Sequence, residues 1–205
     1  MRLTIGVSLA VLLSSCADTR PDATPPEPSP PASVYGQAPA ARGGIPSVIT
    51  LESLGSVTPA QDNEPSEVIM DQLAVTFSPA HLLVRVGTTV NFQNSETIAH
   101  NVHVSSMVGD STMFDEDTLL GQNVSFVFDE EGGYDVTCSI HPGMTAFIFV
   151  TAAPYAVLAD QRGAFELSDV PTGEYTLRIW SVEPGARSEQ AIVKVDGEGA
   201  EVALR

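Results

Sequence analysis

From about residue 47 onward, apolar and polar residues alternate in short runs. Leu73-Val75-Phe77, Leu82-Val84-Val86, Val90-Phe92, Ile98-Val102-Val104 and Val124-Phe126-Phe128 each place apolar side chains at a period of two. The rhythm continues in Tyr134-Val136-Cys138, Phe147-Phe149, Phe165-Leu167 and Tyr175-Leu177-Ile179. That period is the side-chain repeat of a half-buried strand. Turn signals such as Ser78-Pro79, Glu131-Gly132-Gly133, Arg162-Gly163 and Pro171-Thr172-Gly173 separate the runs. Short strands at this spacing predict an all-β chain built as a sandwich or barrel. No stretch sustains a helical period, although a single helical turn is expected over 115–121. A second unit is expected to begin near Thr151, with 163–177 reading as strand, turn and strand.

The first 46 residues lack this pattern. Arg2 precedes an apolar run over 3–13 that is too short to span a bilayer, and Leu13-Ser14-Ser15-Cys16 follows. A basic start, a short apolar core and small residues at the cut describe an export signal. The Leu-Ser-Ser-Cys ending resembles a bacterial lipobox, which implies a lipoprotein signal peptide over 1–16 with lipid on Cys16. Residues 17–46 hold Pro21, Pro25, Pro26, Pro28, Pro30, Pro31, Pro39 and Pro46. That composition predicts a disordered, semi-rigid tether with a reach of about 3 Å per residue. Residues 47–64 are read as a leading strand and linker.

Charge and cysteine usage narrow the class. The net charge is −17 and becomes −18 once Arg2 leaves with the signal. Such a surface repels nucleic acid and anionic lipid and favours a basic partner. No later stretch approaches about 20 apolar residues, so a lipid anchor is the one membrane attachment expected. With Cys16 acylated, Cys138 is the only remaining thiol in an oxidising compartment where cysteines usually pair. It is either a buried core thiol or a metal ligand.

The segment around it favours the ligand. Cys138-Ser139-Ile140-His141-Pro142-Gly143-Met144 puts a thiolate, an imidazole and a thioether within seven residues. Cys138 would close the alternating strand 134–138, and Pro142-Gly143 would turn His141 and Met144 back towards it. His100 shares parity with Ile98, Val102 and Val104, which points it into the core, where a metal would give it a partner. Two imidazoles and a thiolate with a weak axial thioether form the ligand set of blue-copper sites, while Met is a poor zinc ligand. The metal set is therefore His100, Cys138, His141 and Met144, holding one copper ion as Cu(I) or Cu(II). Of the four histidines, His103 has solvent-facing parity and His81 sits after a turn. Met107 and Met113 are read as loop or packing residues.

These residues resemble the cupredoxin family, the fold of plastocyanin, pseudoazurin and amicyanin. The likeness covers 65–151 and rests on Phe77-Ser78-Pro79, on Val86-Gly87-Thr88-Thr89-Val90-Asn91-Phe92, on His100-Asn101-Val102 and on the loop from Cys138 to Met144. It implies a Greek-key β-sandwich in which Asn101 ties the His100 strand to the cysteine loop through Ser139. It also implies that Pro142 and Gly143 belong to an apolar patch over His141. The loop running into 152–205 further resembles bacterial methylamine-utilisation or plastocyanin-like proteins, whose second unit is a small carboxypeptidase-regulatory-like, or transthyretin-like, β-sandwich. In such proteins the cupredoxin can be inserted within the sandwich, and Val48-Ile49-Thr50-Leu51 would then be one of its early strands.

The function these readings favour is one-electron transfer by a periplasmic or surface-facing lipoprotein of the cell envelope, with a redox partner that carries a basic docking patch. A copper buffer or chaperone would use the same ligands and recruit His103, Met107 and Met113. A non-metal β-sandwich binding module leaves Cys138 and its neighbours unexplained. An enzyme is not expected, because His81 and His103 are too few for a second copper centre.

Overall fold

The computed structural model describes residues 32–55, 66–182 and 189–203, which are all β, with no helix among them. The lipobox and Cys16 lie outside the described residues. The strands are β1 (Ala32–Gln37), β2 (Val48–Ser53), β3 (Glu67–Leu73), β4 (Thr76–Ser78), β5 (His81–Arg85), β6 (Thr88–Asn94), β7 (His100–Ser106) and β8 (Ser111–Thr118). They continue as β9 (Asn123–Phe128), β10 (Gly132–Thr137), β11 (Thr145–Thr151), β12 (Tyr155–Leu158), β13 (Ala164–Val170), β14 (Gly173–Trp180), β15 (Glu189–Val195) and β16 (Ala200–Ala203).

β3 to β11 make one sandwich. A five-stranded sheet ordered β5-β11-β10-β7-β8 packs on a four-stranded sheet ordered β4-β3-β6-β9. The alternation seen in the sequence fills the space between them: Met70, Val90, Phe92 and Phe128 meet Val102, Val104, Val136, Ile148 and Val150, all buried. The remaining strands make a second pair of sheets, β13-β1-β16 and β12-β2-β14-β15. Val34, Ile49, Leu51, Phe165, Tyr175 and Leu177 fill its core. The first sandwich is thus threaded between β2 and β12 of the second.

Of the tether expected over 17–46, residues 17–31 lie outside the described residues, and from residue 32 the chain forms β1 instead. Ala32 and Val34 are buried, and β1 pairs antiparallel with β13 and parallel with β16. The prolines flank this strand without entering it, so its ladder is intact. Two smaller departures occur in the first sandwich. The helical turn expected over 115–121 is replaced by β8, an edge strand carrying exposed carboxylates. The run Leu73-Val75-Phe77 is broken by a tight turn between β3 and β4, in which Ala74 and Val75 both have φ of 56°. Leu73 and Val75 consequently face solvent, and only Phe77 reaches the core.

The two units share a third apolar cluster. β11 is buried on both faces, which accounts for its unbroken apolar run. Ala146, Ile148 and Val150 face the first core, while Phe147 and Phe149 face outward onto Val48 and Trp180. Trp180 stacks on Phe147 with ring centroids 5.3 Å apart and planes 13° apart. A Cβ on Gly133 would lie 3.0 Å from the Trp180 ring and 3.1 Å from Met107 Sδ, so the bare backbone is what lets the indole close on the sheet. Each fully buried aromatic of this kind contributes about 1.5–3 kcal/mol.

Two predictions follow from this packing. A Cβ at Gly36 would run into the backbone carbonyl oxygen of Val202, which no side-chain rotation relieves. Gly36→Ala should cost more than about 2 kcal/mol in denaturant unfolding, whereas in a free tether it would be silent. Asp135, half-buried on β10, lines a cleft of about 550 Å³ with Ile45 and His81. Burial pushes its carboxyl above the usual aspartate value, and Asp110 adds to the shift. The folded state is therefore penalised once the pH exceeds the ordinary aspartate value, and fully so above the raised one. Asp135→Asn should be more stable than the parent at neutral pH. The advantage should vanish below about pH 3.9, as denaturation midpoints measured across that range would reveal.

Candidate metal centre

The site lies where β7 begins and β10 ends. Cross-strand register places His100 opposite Thr118 of β8, and no part of His100 reaches solvent. A buried imidazole needs partners for both ring nitrogens. Nε2 finds Glu96 Oε2 at 2.7 Å. A carboxylate only accepts, so the proton sits on Nε2 and Nδ1 presents its lone pair. That atom faces His141 Nδ1 at 3.1 Å, with the ring centroids 4.7 Å apart. Cys138 Sγ lies 3.7 Å from His141 Nδ1. The three donor atoms all fall within 4.8 Å of one another.

Local hydrogen bonds hold the loop that carries two of these donors. Cys138 follows the last residue of β10 and keeps the inward parity of Tyr134 and Val136. Its N–H donates to the Met144 carbonyl at 3.1 Å, and the Met144 N–H donates to the His141 carbonyl at 3.2 Å. These two bonds fold the loop back on itself and bury Met144 beside Cys138. His141 stays half-buried, while Ile140, Pro142 and Gly143 are exposed around it. The Asn101 N–H donates to Cys138 Sγ at 3.4 Å, and the Ser139 N–H donates to Asn101 Oδ1 at 3.3 Å. A thiolate accepts such bonds readily, and they fix its position against the two imidazoles.

Glu96 escaped the sequence reading, because a polar residue in the bend before β7 carries no periodic signal. Its Oε2 accepts both the His100 ring proton and the Val75 N–H, the latter at 3.0 Å. The Val75 N–H holds the carboxyl below the usual glutamate value; desolvation opposes this, and the His100 contact adds to the lowering. Val75 lies in the left-handed region that a β-branched residue seldom occupies, so the same carboxylate steadies a costly turn and a buried imidazole. The segment leading to His100 wraps around Asn94. That side chain donates to the carbonyls of Ile98 and Thr118 at 2.9 and 3.0 Å and accepts the Glu96 N–H at 2.9 Å.

The other candidate donors lie elsewhere. His103 points to the opposite face of β7, with Nδ1 3.5 Å from Asp115 Oδ2. His81 opens β5 and is half-buried beside the cleft that holds Asp135. Met107 packs in the aromatic cluster between the two units, and Met113 is exposed on β8.

Residues 66–151 match the family of copper binding proteins described as plastocyanin/azurin. Amicyanin from Paracoccus denitrificans is 32% identical over 84 residues, a stretch covering 40% of this chain and 64% of amicyanin. Among solved structures, a reduced Cu(I) form of an amicyanin variant is 29% identical with a TM-score of 0.39, covering 50% of this chain and 98% of that one. A purple cupredoxin from Nitrosopumilus maritimus is 28% identical with a TM-score of 0.36, covering 43% and 100%. Copper is the metal of the matching family, and a thiolate with two imidazoles suits it.

Removing the Glu96 carboxylate should expose its part in this arrangement. Glu96→Ala leaves the His100 ring N–H and the Val75 N–H without their acceptor, so the His100 ring loses its fixed orientation. Copper affinity is expected to fall by about 10- to 100-fold, measured by competition with a chromophoric chelator.

Proposed function

We propose that this protein, whose residues 66–151 match the plastocyanin/azurin family of copper binding proteins, is a one-electron carrier built on a single blue copper held by His100, Cys138, His141 and Met144. The observation that carries this reading is the convergence of three soft and borderline donors within 4.8 Å, all but His141 sealed from solvent. Copper supplies the one-electron couple, Cu(I)/Cu(II), when it is bound. The chain's own residues supply the rest. Glu96 orients His100, Asn101 holds the thiolate and the loop amide, and the loop hydrogen bonds hold Met144. Ligands held in this way move little when charge changes, which keeps the reorganisation cost of electron transfer low.

The same geometry offers a path to the surface. His141 is the one donor with solvent access, and exposed Ile140 and Pro142 flank it in an apolar rim suited to brief docking. The strongly negative chain would steer a redox partner with a basic patch and allow it to leave. Of the residues a copper-delivery protein would recruit, His103 pairs with Asp115, Met107 packs in the aromatic cluster and Met113 is exposed on β8; none joins the three donors, and this favours the carrier over the chaperone. We read the seven strands β1, β2 and β12–β16 as a carboxypeptidase-regulatory-like sandwich that hosts the inserted copper domain. We further read the whole as a lipoprotein of the cell envelope, anchored through Cys16.

Titration of the purified protein with Cu(II), followed by visible and paramagnetic-resonance spectra, tests the function. An intense thiolate-to-copper band should appear at one equivalent and be absent in Cys138→Ser. A spectrum without that band, or one unchanged in the serine variant, would remove the blue-copper assignment.

A further inference from the structure

Asn101 is engaged beside the donors through both its backbone and its side chain. Its backbone N–H goes to Cys138 Sγ and its Oδ1 to the Ser139 N–H. The amide nitrogen then turns the other way, towards β8, and donates to Asp115 Oδ1 at 2.9 Å and Asp117 Oδ1 at 3.0 Å. A primary amide has two N–H donors, and here each meets its own carboxylate. Register explains why: β7 and β8 pair antiparallel with Asn101 opposite Asp117 and His103 opposite Asp115. Alternation along β8 puts both aspartates on one face and Glu116 on the other.

This arrangement has a cost that needs an explanation. Asp115 and Asp117 are exposed and would each be well hydrated if left alone, and two like charges on one strand face repel. Donation from Asn101 is the leading influence holding the Asp115 carboxyl below the usual aspartate value; desolvation opposes it, and His103 assists. The pair also settles which way the Asn101 amide faces. With the group reversed, its oxygen would meet two carboxylates and its nitrogen would meet the Ser139 N–H, so both contacts would become repulsive. The two aspartates therefore leave one orientation, the one that serves Cys138 and Ser139.

We propose that Asp115 and Asp117 are positioning residues for the copper centre, which lock the Asn101 amide and through it hold the cysteine strand-end and loop in ligating geometry. The proposal rests on the copper reading above and extends it to two surface carboxylates on an edge strand.

The test compares three variants of the full chain: the double Asp115→Ala with Asp117→Ala, the double Asp115→Asn with Asp117→Asn, and Glu116→Gln. The first removes the acceptors, the second keeps an acceptor oxygen without charge, and the third removes a charge from the same strand on the opposite face. In the metal-free protein, amide hydrogen exchange at Asn101 and Ser139 should quicken at least about tenfold in the alanine pair. It should be largely restored in the asparagine pair and unchanged in Glu116→Gln, with core amides such as Val136 unaffected. Copper affinity of the alanine pair should drop about tenfold or more. Unchanged exchange at Asn101 and Ser139 would overturn the proposal, as would parallel acceleration of the core amides or an equal response from Glu116→Gln. A parent protein that forms no thiolate-to-copper band would overturn the copper reading and this proposal together. A normal parent band with unaltered variants would overturn this proposal alone.

Discussion

An imidazole sealed from water has two nitrogens to satisfy, and the structure around His100 follows from that requirement. One nitrogen takes a carboxylate, Glu96, which fixes the proton and the plane of the ring. The other is then a bare lone pair inside a protein, tolerable only if something that accepts electrons, or donates a proton, lies in front of it. His141 Nδ1 lies there at 3.1 Å and Cys138 Sγ lies beside it, so the lone pair faces either a ring N–H or, with all three donors turned inward, a metal ion that the trio could hold. Burial of His100 also dictates where Glu96 must be, and hence why the chain accepts left-handed backbone at Ala74 and Val75, whose turn brings an N–H to the same carboxylate.

The second sandwich bears on the site through β11. This strand leads directly out of the loop that carries Cys138 and His141 and is buried on both sides, by the core of the first sandwich and by the Trp180 cluster. An isolated domain would leave Phe147 and Phe149 facing water. In this chain they are covered by residues that come from before and after the inserted domain in sequence, Val48 and Trp180. The strand that anchors the C-terminal end of the Cys138–Met144 loop is therefore held by both units, and motion of that loop is opposed by two hydrophobic contacts instead of one.

What the sequence disclosed and what it concealed divide along a physical line. Alternating apolar residues define strands whose burial is one-sided, and Val102-Val104 or Tyr134-Val136-Cys138 could be read directly. The cysteine loop was legible because its donors sit within a few residues of one another and closure of the loop is local. His100 could be placed from parity, even though Ile98, which shares that parity, lies in the bend before β7 and is exposed. Glu96, Asp115 and Asp117 were not legible, because polar residues on loops and edge strands carry no periodic signal. Their roles depend on which residue stands opposite across a ladder, a relation between positions far apart in the chain. β1 was hidden differently: six ordinary strand residues lie within a proline-rich stretch, and average composition over 17–46 outweighed the local pattern of Ala32 and Val34.

The closure of the sandwich at the site end is polar, in contrast to the apolar layers below it. Thr118 Oγ1 donates to Gln72 Oε1 at 3.0 Å, joining β8 of one sheet to β3 of the other, and all of Gln72 and Thr118 is buried. Asn94, on β6, reaches across to the Thr118 carbonyl and to the Ile98 carbonyl just before β7. Apolar contacts oppose displacement through close packing but set no preferred direction. Buried hydrogen bonds are directional, and a displaced donor or acceptor has no water to replace its partner and costs about 1–3 kcal/mol. The sheets are consequently held in register beneath His100, where displacement would alter the spacing of the donors. A centre that depends on the spacing of its donors benefits from directional bonds at this end of the fold, and the sequence places them there at the expense of apolar burial.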